Sequence, residues 1–291
     1  MRFRWDWLSP VVSAPWIPTL GVVGPNCVSE DLFNAVLDVA GTKRHLPYDK
    51  DRRWSDTKDE QVILPEVIHA PGKTMIPAVS FRGHGLIKIY CYGTPADDTD
   101  NADWARKLTA TYGARGGARL LWCDDLPQGA KGRLMLKTLT AADAPGVDGV
   151  VELADCPHAD SFPAFAAEAN EAEEGGFAFL QRRLEQGVDD GPVFVAVEDA
   201  RIVGAIGPLS TMLDAASTRH QPPQYFTVLP RFRGRGHGRR LWRASMAWGF
   251  RAGARYKVLQ AASGSAAEAL YLSEGMTTLG HLHQRQIPAL P

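Results

Sequence analysis

The sequence is poor in the features that would place a protein outside the cell or inside a membrane. It has four cysteines in 291 residues, Cys27, Cys91, Cys123 and Cys156, and no two form a Cys-x-x-Cys pair. That spacing excludes a zinc knuckle or a compact disulfide scaffold and predicts reduced, buried thiols. Long apolar runs are also missing, and no stretch reaches the roughly 20 residues needed to span a bilayer. The first residues, MRFRWDWLSP, carry two Trp and an Asp where a signal peptide needs an apolar core. Charge of one sign is absent too. Lys and Arg number 32 against 33 Asp and Glu, a formal net charge of −1, which argues against general affinity for nucleic acid or an anionic membrane. The expectation is a soluble, cytoplasmic protein.

What is present is a chain with 45% apolar residues, enough for a sizeable core, and a length that predicts two domains. In the C-terminal half, 133–138 (RLMLKT) reads as a strand and Thr140 as the N-cap of a following helix. Apolar residues at mostly helical spacing over 161–187, interrupted by Gly175-Gly176, predict two helices. PVFVAVED (192–199) and RIVGAIGPLSTML (201–213) form a predicted hairpin, followed by a polar loop (214–222) and a strand PQYFTVL (223–229). A loop, a helix from about 238 to 252, a strand at 256–262, a helix at 265–274 and an extended tail at 276–287 complete the half. This order predicts an α/β fold with a mixed, largely antiparallel central sheet flanked by helices.

The N-terminal half repeats part of that order. A capped helix at 29–41 precedes strands at 61–69, 74–81 and 86–93, a helix at 101–113 and a strand at 118–125. PQGAKG (127–132) reads as a linker, which divides the chain into domains 1–128 and 129–291.

The chemistry is concentrated in YFTVLPRFRGRGHGRRL (225–241). Pro230 stops a strand, and Gly234, Gly236 and Gly238 let backbone N–H groups face a bulky anion. A helix with Leu241, Ala244, Ser245, Trp248 and Ala252 on one face starts at once, and a helix N-terminus is a ready phosphate site. Five arginines crowd the loop and supply counter-charge. A disordered Gly/Arg nucleic-acid segment does not fit one short copy between two ordered elements. A dinucleotide-binding loop does not fit the glycine spacing.

This arrangement resembles the signature of GCN5-related N-acetyltransferases (GNAT), Gln/Arg-x-x-Gly-x-Gly/Ala, which falls on Arg233, Gly236 and Gly238. The wider pattern is met at every fixed position from Pro230 to Leu241. A later family motif is matched by Ala267, Leu270, Tyr271 and Gly275, with Gly264 where Asn is usual and Met276 where Phe is usual. The resemblance covers roughly 131–287 and implies a GNAT fold. It implies that Arg233, Gly234 and the backbone of Arg235, Gly236, His237, Gly238, Arg239 and Arg240 hold the pyrophosphate of acetyl-CoA. It lays Thr227, Val228 and Leu229 along the acyl arm and makes Tyr271 the acid for the leaving thiolate. His237 is expected to contribute its backbone only.

The implied activity is direct transfer of an acetyl group, in a ternary complex, to a primary amine of an antibiotic-like small molecule or a peptide. The rival readings are an inactive acyl-CoA-binding sensor or scaffold, and an O-acyl or longer-acyl transferase. The strand from Gln224 to Leu229 has no carboxylate to serve as base. Asp214, His220 and Glu198 are the nearest candidates in sequence, each read first as a solvated loop group, and no base is named. His281 and His283 share one face of a strand with no third ligand near, so no metal is expected. Where the C-terminal half has its arginine loop, the N-terminal half has GTPADDTDNAD (93–103). Asp97, Asp98, Asp100 and Asp103 would repel a pyrophosphate. The expectation is a tandem GNAT whose degenerate first half binds no cofactor and instead walls the acceptor site or makes a homodimer contact.

Overall fold

The computed structural model describes residues 1–81, 83–93, 99–172 and 176–289. The N-terminal half runs α1 (Trp5–Leu8), β1 (Trp16–Ile17), β2 (Gly21–Val22), α2 (Glu30–Asp38), β3 (Glu60–Val62), β4 (Ile68–Ala70), β5 (Lys73–Ser80), β6 (Leu86–Gly93), α3 (Thr99–Thr111) and β7 (Ala118–Asp124). The C-terminal half runs β8 (Gly132–Thr138), β9 (Val151–Glu152), α4 (Phe162–Glu171), α5 (Phe177–Glu185), β10 (Phe194–Glu198), β11 (Arg201–Gly207), β12 (Met212–Leu213), β13 (Arg219–Gln221) and β14 (Tyr225–Val228). It ends with α6 (His237–Arg251), β15 (Tyr256–Ala262), α7 (Ala266–Ser273) and β16 (Thr277–Ile287).

Local signals account for most of these boundaries. Ser29 caps α2 by accepting from the Leu32 N–H, and Leu32, Phe33, Val36 and Leu37 form its buried face. Pro65, inside a short 3-10 turn, splits the predicted strand at 61–69 into β3 and β4. Thr140 does cap a helical turn, with Asp143 completing a capping box, but the turn stops after three residues. The turn ends before Pro145-Gly146, a pair that favours a turn over a longer helix.

Among the described residues β1 and β2 pair as a two-stranded sheet, and two larger sheets result, one of order β14-β11-β10-β9 and one of order β12-β13-β15-β8-β16-β7-β6-β5-β3 with β4 added on β5. The larger sheet has an internal symmetry about the antiparallel β8–β16 pair. Outward on one side, β8 meets β15 antiparallel, β15 meets β13 parallel, and β13 meets β12 antiparallel. Outward on the other, β16 meets β7 antiparallel, β7 meets β6 parallel, and β6 meets β5 antiparallel. Each half therefore has a meander leading into a βαβ unit, around α3 in one and α6 in the other. The two halves meet through β16: β8, the first strand of the C-terminal half, lies between β15 and β16, and β16 follows β15 in the chain but pairs on its other edge with β7 of the N-terminal half. The 127–132 segment joins two strands of this one continuous sheet.

The strand register sorts the core onto two faces. Met135, Leu120 and Trp122 face α6 and α3, whereas Leu134, Leu282 and Leu121 face the other way. That far face is covered by the N-terminal segment, whose Phe3, Leu8, Trp16, Leu20 and Phe33 pack on Tyr90, Tyr92 and Leu134. Among the described residues no helix is long and apolar enough to cross a membrane.

Candidate active site

The site begins with a broken strand. β13 pairs in parallel with β15 over only two residue pairs, His220 with Tyr256 and Gln221 with Lys257. Pro222 and Pro223 follow, and neither has an N–H to give to a ladder. The chain then leaves β15 and continues as β14, paired with β11 instead. In the N-terminal half the equivalent strands, β6 and β7, stay paired from Ile87–Ala118 to Cys91–Trp122. Among the described residues, only the C-terminal half is forked.

Two basic side chains brace the apex of the fork. Lys257 Nζ, fully buried, donates to the Pro222 carbonyl at 3.0 Å and also to Gln224 Oε1. Burial, and then the neighbouring Arg53 charge, push the Lys257 ammonium well below its ordinary range. The Arg53 guanidinium donates to the Pro223 carbonyl. The next residue, Trp54, stacks on Tyr225 with ring centroids 5.7 Å apart. Neither contact was visible in the sequence, where 53–54 carry no motif.

The opening between β14 and α7 is a cavity of about 560 Å³, lined by Phe226, Thr227, Val228, the loop from Phe232 to Arg239, and Ser265, Ala266, Ala267 and Leu270. The Leu229 N–H donates to the Val203 carbonyl on β11. By strand alternation the Phe226 and Val228 amides point the other way, into the vacated edge. The Val228 carbonyl is met there by Arg233 Nε at 2.9 Å. Thr227 is buried and its Oγ1 has no hydrogen-bond partner in the protein. Leu229 lies in the core with its N–H already used, away from the cavity.

The loop beyond is shaped by its glycines. Gly234 and Gly236 have φ of +78° and +85°, and a Cβ added at either would meet nothing within 4 Å. α6 starts at His237, so the N–H groups of its first turn lack intrahelical acceptors and face the same space. His237 does more than supply its backbone. Its buried ring bonds Glu198 Oε2 through Nε2 at 2.6 Å, with Arg240 at Nδ1. Arg235 pairs with the other oxygen of Glu198. The hydrogen bond from His237, followed by the charge and hydrogen bond of Arg235, holds the Glu198 carboxyl below its usual value. Glu198 is thus a strut that ties the loop to β10, and the expectation of a solvated loop group is corrected. Arg239 reaches Ser273 Oγ and Glu274 across the cavity mouth.

Tyr271 is buried beneath the cavity, its ring 4.5 Å from Trp242 and 6.2 Å from Phe226. Burial pushes its phenol up, so it keeps its proton at neutral pH. Gly264 has φ +74° and donates its N–H to Glu268 Oε2 at 2.6 Å. Asn also tolerates that left-handed region. Asp214 and His220 lie together on the far side of the sheet: Tyr256 donates to Asp214 at 2.5 Å, and the His220 ring stacks on Tyr256. His283 bonds Asp124 at 2.9 Å and stacks on Trp122, while His281 Nδ1 has no partner. Among the described residues no group of His, Cys, Asp and Glu is arranged to hold a metal. In the acidic loop, Asp97 and Asp98 lie outside the described residues; Asp100 and Asp103 sit in the first turns of α3, with Asp103 paired to Arg106.

Residues 189–275 match the family model described as an acetyltransferase (GNAT) domain. Among solved structures, the chain resembles a GCN5-related N-acetyltransferase from Sphaerobacter thermophilus at 16% identity, TM-score 0.50, over 90% of this chain and 87% of that one. A GNAT-family acetyltransferase from Colwellia psychrerythraea aligns at 11% identity, TM-score 0.47, over 73% and 81%. A tandem GNAT protein from the clavulanic acid biosynthesis pathway aligns at 15% identity, TM-score 0.45, over 75% and 80%. No curated protein matches the chain in sequence. The forked strand, the glycine loop at a helix N-terminus and the domain match over 189–275 agree: residues 189–275 match the GNAT domain model, and the chain has the mixed α/β fold of GNAT proteins.

Proposed function

We propose that the C-terminal half transfers an acetyl group from acetyl-CoA directly to the primary amine of a small molecule or peptide. The observation that carries this reading is the fork itself. β14 separates from β15, and its open edge leads straight to a glycine loop at the start of α6. The residues present fit the cofactor. Gly234 and Gly236 leave open space, and the first turn of α6 offers N–H groups to a pyrophosphate. Acetyl-CoA would supply the activated acetyl thioester. The amides of Phe226 and Val228 would pair with its arm, and one of them would polarise the thioester carbonyl. Tyr271, held protonated by burial, would return a proton to the departing sulfur. Holding the amine and the thioester together supplies much of the remaining acceleration. Among the described residues of the N-terminal half, β6 and β7 stay paired and offer no comparable edge, so one CoA per chain is expected.

Calorimetry tests the reading. The full chain should bind one CoA, and Gly236→Glu should abolish measurable binding by filling and charging the cradle. Two sites per chain, or unchanged affinity in the variant, would remove its basis. Thiol release from acetyl-CoA with a panel of amines then reads the activity.

A further inference from the structure

The apex of the fork is the end of the slot farthest from the glycine loop, and part of its support comes from the N-terminal half. β13 stops pairing with β15 at Gln221, so the carbonyls of Pro222 and Pro223 lie beyond the ladder. Each is met by a side chain. Lys257, which meets Pro222, comes from β15 itself. Arg53, which meets Pro223, lies 170 residues away in the sequence. A second nitrogen of its guanidinium stands 3.4 Å from Ser210 Oγ, in the chain between β11 and β12. One planar group thus ties the apex to the segment that leaves β11, and a rigid fork of donors holds two acceptors in a fixed relation.

Trp54 extends the brace to the first residue of β14. Its ring stacks on Tyr225 with the planes 26° apart and meets the edge of Phe179 on α5 at 5.6 Å. The Arg53 guanidinium lies 4.5 Å from the same Trp54 ring. Tyr225 is closed in further by Gly176, where an added Cβ would stand 2.1 Å from its ring. The brace is also rooted at its other end. Asp49 accepts from the Asp51 N–H and pairs with the buried Lys58, which donates to the Thr19 carbonyl at 2.8 Å.

We infer that Arg53 and Trp54 are positioning residues for acyl transfer, acting through β14 on the Phe226 amide. The inference rests on the acetyl-transfer reading and deepens it. With the pyrophosphate at the glycine loop, the arm enters the slot beside Val228 and its acyl end lies toward the apex, beside Phe226. The Phe226 N–H points into the open edge and follows directly on the clamped Tyr225. It is therefore the donor that meets the thioester carbonyl, and it polarises that carbonyl only if it is held in place. A displacement of about 1 Å can cost about 100-fold in rate. The N-terminal half thus takes part in the reaction without a cofactor of its own.

The thioester carbonyl reports this without an acceptor. Acetyl-CoA carrying carbon-13 at that carbonyl is bound to the full chain, and its C=O stretch is recorded by difference infrared spectroscopy. A hydrogen bond to the oxygen lowers the frequency, so the wild-type complex should show a downshift relative to free acetyl-CoA. Arg53→Met and Trp54→Leu should each lose most of it. Calorimetry should give both variants a CoA affinity within about twofold of wild type, because the pyrophosphate cradle is untouched. No downshift in the wild-type complex, or a downshift kept in both variants, overturns the inference. Loss of CoA affinity together with the downshift also overturns it, since the whole site would then have collapsed. If Arg53→Met fails to fold, Trp54→Leu decides the matter. Failure of the wild-type chain to bind CoA overturns the acetyltransferase reading instead, so the two failures are distinguishable.

Discussion

At the scale of single residues, the slot is defined by groups that the protein leaves unfinished. Thr227 buries a hydroxyl without a partner, an expense of roughly 1–3 kcal/mol in an otherwise packed strand. Thr227→Val keeps the shape and removes that hydroxyl. Its melting temperature should hold or rise, while CoA affinity falls about fivefold as one hydrogen bond is lost. Unchanged affinity would show that the hydroxyl does not meet the arm. Tyr271 is a different case, because burial on Trp242 suits packing as well as proton donation. Tyr271→Phe keeps the ring, so it should slow kcat by about 100-fold or more with CoA affinity little altered. A normal turnover number would leave Tyr271 a packing residue.

At the scale of elements, the Pro222-Pro223 break makes the fork, and β13 before it carries a histidine sensitive to acid. Burial lowers the His220 pKa from 6.5 to about 4, opposed by Asp214 and assisted by Lys257. The unfolded chain therefore binds a proton between those values that the folded chain does not. Stability should be complete above about pH 6.5 and decline as the pH falls toward 4, by roughly 3 kcal/mol from this group alone. Melting temperature against pH should show that decline, and His220→Gln should flatten it. Equal slopes for the two proteins would place the acid sensitivity elsewhere. The elements themselves were largely legible. Apolar periodicity located α2, α3, α6 and most strands, because each buries one face. The polar run 214–222 was read as a loop, yet Arg219–Gln221 forms β13. Its pairing is set by β15, more than thirty residues downstream, and no local signal announces it.

At the scale of the whole molecule, the pairing of β16 with β7 makes the halves depend on each other. Residues 129–291 alone would expose the edge of β16 that pairs with β7 over Ala118–Asp124, and would uncover Leu134 and Leu282. That fragment should lack a cooperative thermal transition and bind a hydrophobic dye. A sharp transition with native CoA affinity would show that the C-terminal half folds alone.

The sequence by itself determined the glycine loop and the helix that follows it, because strand end, Pro230, glycines and helix start are contiguous and each acts on its own backbone. It also supplied the order of elements in both halves. The tertiary structure decided the fork and the pairing of β16 with β7. The Arg53–Pro223 contact spans 170 residues, and β16 meets β7 across a comparable length of chain. Such pairings depend on which faces and edges remain to be covered once the local elements have formed, and that is a property of the assembled sheet.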